Sequence, residues 1–271
     1  MTAIDNSENK VALIAKVGLV TKGVVYCLLG VLAFMAAFNI NGQSTNDTDK
    51  RGVLDFLDKQ TGGQVLLGIV ALGLACYTIW RIIQFVRVLK GDDENNKKSK
   101  KVVKGIRYIF SAIGYGLLAA SVVKKLISST SGSDNNKQDA AQKLMEQPLG
   151  QWLVGIVALI FLGVGIYQVY YGYSEKYKKH VDKSTSGKSR KAMLTAGKIG
   201  YMARGIVWAI IALLFGKAAL NANASETGGT SKALSFISDA PYGPYLLGAV
   251  GLGLVCYGVF NFVRAKYENL G

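Results

Sequence analysis

Six long apolar runs alternate with polar segments along this chain, at about 17–40, 64–89, 105–125, 150–173, 198–220 and 242–265. None of the runs contains Asp or Glu. A helix rises about 1.5 Å per residue, so about 20 residues cross a hydrocarbon core of about 30 Å. Lipid offers no partner to backbone N–H and C=O groups, so each run must pair its own backbone as a helix. The pattern predicts an all-α membrane protein with six transmembrane helices.

The runs also recur in pairs. A basic residue, a Gly-rich entry, an apolar run, a polar loop and a second apolar run make a unit of about 90 residues, repeated three times. The repeats cover about 12–90, 103–174 and 194–267 of a single integral membrane domain, 1–271, with basic linkers at 91–102 and 175–193. Gly18, Lys22, Gly23 and Tyr26 align with Gly200, Arg204, Gly205 and Trp208. In the middle repeat Arg107 and Gly114 keep register, and Ile113 takes the place of the second cation. In the second helices Gly68–Leu72 recurs as Gly155–Leu159, and Gly73–Tyr77 matches Gly253–Tyr257. Arg81 then aligns with Gln168 and Asn261. Each unit enters from the same side, so the expectation is three parallel helical hairpins with a pseudo-threefold axis along the membrane normal.

The polar loops within the hairpins carry their own pattern. Val53, Leu54, Phe56 and Leu57 match Ala233, Leu234, Phe236 and Ile237, and Ala140, Ala141, Leu144 and Met145 stand in the same place. These read as short amphipathic helices, lying either at the membrane interface or as a lid over the bundle end.

Together these elements resemble the bacterial membrane family known as domain-of-unknown-function family 1206. The Gly, basic-Gly and aromatic entries at Gly18–Tyr26 and Gly200–Trp208 carry the likeness. So do Pro148-Leu149-Gly150, Pro241-Tyr242-Gly243, Tyr77 and Tyr257. Lys22, where the pattern has Arg, and Ile113 depart from it. The resemblance covers about 12–266 and implies tandem two-helix membrane units. It brings no activity with it.

Charge then orients the molecule. Half of the residues are apolar, 18% are charged, and the net charge is +15. Eight Lys and Arg fall in 87–107 and eight in 174–198, whereas the loops 41–63, 126–149 and 221–241 hold three, two and one. The positive-inside rule predicts both termini and both linkers in the cytoplasm, and the resemblance to a bacterial family implies an inner membrane as the location. Positive charge on short loops flanking apolar spans is explained by anionic lipid headgroups, so nucleic acid is not an expected partner. Asp5 and Glu8 in the first segment argue against a cleaved leader. Cys27, Cys76 and Cys256 all fall in spans, which speaks against a disulfide framework and favours packing.

The chemistry is sparse. His180 is the single histidine and lies in a Lys-rich linker, so neither a histidine metal site nor an intramembrane general base is expected. No phosphate-binding loop, nucleophile elbow or intramembrane carboxylate pair appears. No catalytic residue, metal or cofactor is expected, and the chain does not read as an enzyme. What remains is a set of cations within the spans, Lys22, Arg81 and Arg204, as contacts for an anion or a lipid headgroup. The alternative is that their stems lie along the helix with the charges at the interface. The matched aromatics Tyr26, Tyr77, Trp208 and Tyr257 either pack helices or line a ligand path. The first functional expectation is a non-catalytic membrane protein that binds lipid or a partner and organises the envelope. The alternative is a channel or carrier for small solutes or ions with a cytoplasmic basic vestibule.

Overall fold

The computed structural model describes residues 2–45, 48–90, 98–127, 150–180 and 188–268, and every regular element among them is helical. The elements are α1 (Thr2–Ala37), α2 (Lys50–Asp58), α3 (Gly63–Lys90), α4 (Lys98–Ile127), α5 (Gly150–Tyr173), α6 (Lys188–Leu220), α7 (Thr230–Ser238) and α8 (Gly243–Tyr267). Short 3-10 turns occupy Ile40–Gly42, Lys176–His180 and Ala224–Glu226. Six of the helices are long and apolar enough to cross a membrane: Lys10–Ala37, Gly63–Lys90, Gly105–Lys124, Gly150–Tyr173, Arg190–Leu220 and Gly243–Tyr267. Their outward faces carry large apolar side chains, among them Val65, Ile69 and Leu72 on α3 and Trp152, Leu159 and Ile166 on α5. Water-soluble monomers rarely expose contiguous apolar surface on this scale, whereas lipid requires it.

The helices outrun the apolar runs at the Lys-rich end. α1 starts at Thr2, α4 at Lys98 and α6 at Lys188, so parts of the segments expected as basic loops are helical. Lys, Ala, Leu and Met are good helix formers, and extending an existing helix needs no new nucleus. At the opposite end α1 stops at Ala37, short of residue 40. Asn39 and Asn41 have φ of 49° and 55° and Gly42 has φ of 67°, a left-handed stretch that no α-helix can continue through. The expected amphipathic segment at 140–145, the Pro148-Leu149 turn and the linker residues 91–97 and 181–187 lie outside the described residues.

α2 and α7 each bury one face, through Val53, Leu54 and Leu57 and through Ala233, Leu234 and Ile237. Both end in the same corner before the next long helix. Gly62 and Tyr242, equivalent in the repeat, hold that corner with φ of 76° and 60°. A Cβ on the following Gly63 or Gly243 would strike the carbonyl of Asp58 or Ser238, so glycine is what lets the chain turn there.

The chain forms two compact units. The first comprises Met1–Val24, Phe56–Ser131 and Asn261–Gly271, and the second Val25–Asp55 and Gly132–Phe260. Inside the first unit α1 crosses α3 at close range. A Cβ on Gly18 would sit 2.6 Å from the Tyr77 Cα, and Gly73 of α3 faces the Thr21 side chain. α3 in turn packs on α4, where Gly116 meets Thr78. Inside the second unit α6 crosses α8 with the same contacts. A Cβ on Gly200 would lie 2.5 Å from the Tyr257 Cα, and Gly253 faces Ala203. There α5 packs on α6 through Gly165 and Gly205, and α8 approaches the second part of α1 through Gly251 and Gly30. Such backbone approach is how helices associate where no hydrophobic effect drives them together.

Candidate functional site

The close crossing of α1 and α3 brings Lys22 against the phenol of Tyr77. Lys22 is four residues after Gly18, on the same face of α1, and its side chain is buried. Its Nζ donates to Tyr77 Oη at 3.1 Å. Arg81 lies one turn beyond Tyr77 on α3 and bends back onto the same oxygen. Its Nε donates at 2.9 Å and its Nη2 at 2.5 Å. Its Nη1 donates to Gln84 Oε1 at 2.7 Å. Tyr77 is fully buried and Arg81 is 9% exposed. Rings close around the charges. The Arg81 Cζ stands 4.6 Å from the Trp80 ring centre and 5.5 Å from that of Tyr108. Tyr115 meets the Tyr77 ring edge-on at 4.6 Å, with the Lys22 ammonium 5.6 Å from its centre. The two cations thus turn inward onto a phenol and aromatic faces, which supply cation–π attraction, rather than running along the helix surface.

The second unit repeats the theme at Arg204 and Tyr257. Arg204 Nη1 donates to Tyr257 Oη at 2.6 Å. Its Cζ lies 4.9 Å from the Tyr257 ring centre and 5.3 Å from that of Tyr26. Tyr26 and Tyr257 meet edge to face at 4.8 Å. The aromatic contacts continue from Tyr257 to Tyr201 at 5.3 Å, and from Tyr201 to Tyr177 at 5.9 Å. Tyr177 follows α5 in the Lys176–His180 turn and donates its hydroxyl to the Leu194 carbonyl at 2.8 Å. Burial pushes its pKa up to about 12, with the nearby Glu175 charge acting in the same direction.

The residues singled out from sequence are therefore placed in two groups. Lys22, Tyr77 and Arg81 come together in the first unit. Tyr26, Arg204 and Tyr257 come together in the second. Trp208 stands elsewhere, its ring 5.2 Å from Phe161. Asn261 and Gln168, in register with Arg81, are both buried, and among the described residues the Gln168 Oε1 has no hydrogen-bond partner.

The loops contribute residues that the hydropathy pattern left out. Lys50, the first residue of α2, reaches to within 5.5 Å of the Tyr26 ring centre. Asp49 and Thr48 before it are buried, and Asp49 Oδ1 accepts from the Gly52 N–H at 2.7 Å, capping α2. Carboxylates are absent from the apolar runs, as read from sequence, yet a loop places one inside. The available signal was the Thr48-Asp49 pair just before the apolar-periodic segment of α2, a helix-start pattern. Gln84, Tyr108 and Tyr115 were equally unmarked. Only Gln84 could have been found, by its spacing of three from Arg81.

Comparison with known proteins agrees with the repeat pattern. The profile of the family described as Domain of Unknown Function (DUF1206) matches three times, at residues 17–87, 106–175 and 199–268. A Bacillus subtilis (strain 168) protein named "Uncharacterized protein YxxB" is 28% identical over 257 residues, covering 94% of this chain and 90% of that one. No solved structure matches.

Proposed function

We propose that this chain, which belongs to the DUF1206 family, is a non-catalytic multi-pass membrane protein that binds an anionic ligand at its Lys22–Tyr77–Arg81 cluster. Three parallel hairpins in a pseudo-threefold arrangement, a bacterial inner-membrane location and cytoplasmic termini are parts of the same proposal. The recurrence of one helix crossing in the first and third hairpins supports the arrangement. The Lys and Arg excess in the linkers supports the orientation. The observation that carries the reading is Arg81. Its guanidinium is buried, and its hydrogen bonds go to a phenol oxygen and an amide oxygen, those of Tyr77 and Gln84. A buried cation without a carboxylate is costly, and an anionic ligand offsets that cost. The basic linkers would gather anionic lipid around the same end of the molecule.

The test is to purify the wild type and Arg81→Gln from the same membranes and quantify co-purifying anionic lipid and bound phosphate. The reading requires wild type to retain ligand and the variant to lose most of it. Equal retention would reject it. The channel or carrier alternative makes a different demand, specific and saturable anion flux in proteoliposomes. It draws on the second cluster, where cations from a loop and from α6, Lys50 and Arg204, both face Tyr26.

A further inference from the structure

We infer that the ligand of the first cluster is an oxyanion gripped by two N–H groups of Arg81, with Gln84 as the residue that aims them. This rests on the anion-binding reading above and deepens it. A guanidinium carries five N–H donors in a fixed planar fork. Arg81 spends Nε–H and one Nη2–H on the Tyr77 oxygen and one Nη1–H on Gln84. One hydrogen on each η nitrogen is left without a protein acceptor among the described residues. Two such hydrogens on neighbouring nitrogens match the spacing of two oxygens of a phosphate or carboxylate.

The surroundings narrow the choice further. Tyr77 Oη receives donors from Lys22 and from two nitrogens of Arg81, so its capacity as an acceptor is spent. The spare donors are thus the two N–H groups of Arg81, and the site selects a ligand that accepts. The rings of Trp80, Tyr77 and Tyr108 stand around the guanidinium. Aromatic rings at these distances favour a ligand with an apolar remainder. Arg264, the other buried arginine of this unit, is paired through two bonds with Glu268, so its charge is already met. Phosphate carries the required chemistry whether it arrives free or as a phospholipid headgroup.

The experiment uses the full chain with Trp152→Phe and Trp208→Phe, leaving Trp80 as the single tryptophan, excited selectively beside Arg81. Inorganic phosphate is titrated in detergent with sodium chloride as the control. The same protein is then placed in nanodiscs of phosphatidylglycerol or of phosphatidylcholine. A phosphate-saturable Trp80 signal identifies a free-anion site. A signal that differs only in phosphatidylglycerol identifies a headgroup site, and either result supports the inference. Arg81→Lys keeps the charge and loses the fork, and is expected to weaken binding about tenfold or more. Gln84→Leu keeps both, and is expected to weaken it about threefold with helix content unchanged by circular dichroism. Wild-type binding with Arg81→Lys unaffected, or chloride matching phosphate, overturns the inference and leaves anion binding standing. No signal from either ligand in the wild-type background overturns both.

Discussion

The first and third repeats solve one packing problem in the same way, and the middle repeat does not use that solution. In the terminal repeats a glycine on the first long helix lets the tyrosine backbone of the second come close. A cation one turn later reaches the tyrosine hydroxyl, Lys22 to Tyr77 and Arg204 to Tyr257. At the equivalent middle positions the chain has Ile109 for the glycine, Ile113 for the cation and Val164 for the tyrosine. Ile113 and Val164 are exposed, and α4 and α5 bury the smallest share of any spans. The glycine, the cation and the phenol are lost together. A buried cation without its phenol, or a phenol held away by an isoleucine, would leave a polar group unpaired in an apolar setting, so the three substitutions belong to one another.

The sharpest way to break that comparison is at the glycine. Gly200→Leu is expected to destabilise the protein by about 3 kcal/mol, since the clash is with Tyr257 backbone that cannot step aside. Ile109→Leu at the equivalent middle position is expected to change stability by less than about 1 kcal/mol. Unfolding in mixed detergent micelles reads both.

Next in size is Tyr177, which ties the turn after α5 to the start of α6 and to the aromatic cluster of the third repeat. Its pKa, raised to about 12, lies above the ordinary phenol value of about 10. Between those values the unfolded chain loses this proton while the folded one keeps it. Stability is therefore fully present below about pH 10 and falls as pH rises through about 12. Tyr177→Phe should remove that part of the alkaline loss, as measured by unfolding across the same pH range.

The smallest expected effect concerns the loops. Lys50, the first residue of α2, faces Tyr26, whereas its equivalent at the start of α7 is Thr230. Lys50→Thr makes the first loop resemble the third and should cost about 0.5–1 kcal/mol through the lost cation–π contact. Thr230→Lys should cost nothing comparable.

Much of this architecture was legible before the coordinates. The spans follow from runs free of acidic residues, and the matched Gly18, Lys22 and Tyr77 against Gly200, Arg204 and Tyr257 announced a shared crossing. The inward turn of Arg81 was less legible. A long side chain near a helix end has two low-energy courses, and only the position of the Tyr77 oxygen decides between them. Asp49 and Lys50 were illegible for another reason. The burial of Asp49 and the reach of Lys50 to Tyr26 depend on how the chain before α2 folds back, which a helix-start pattern and local periodicity do not encode. The left-handed break at Asn39–Gly42 similarly shortened α1 inside a run that hydropathy would have continued.

The most direct test of the contrast between repeats is a pair of double-mutant cycles for unfolding in a bilayer mimic. One cycle couples Arg204→Gln with Tyr257→Phe, and the other couples Ile113→Ala with Val164→Ala. The account predicts a coupling of about 1–2 kcal/mol in the third repeat, the upper range for polar pairs in membranes, and about zero in the middle one. Equal couplings, or none between Arg204 and Tyr257, would contradict it.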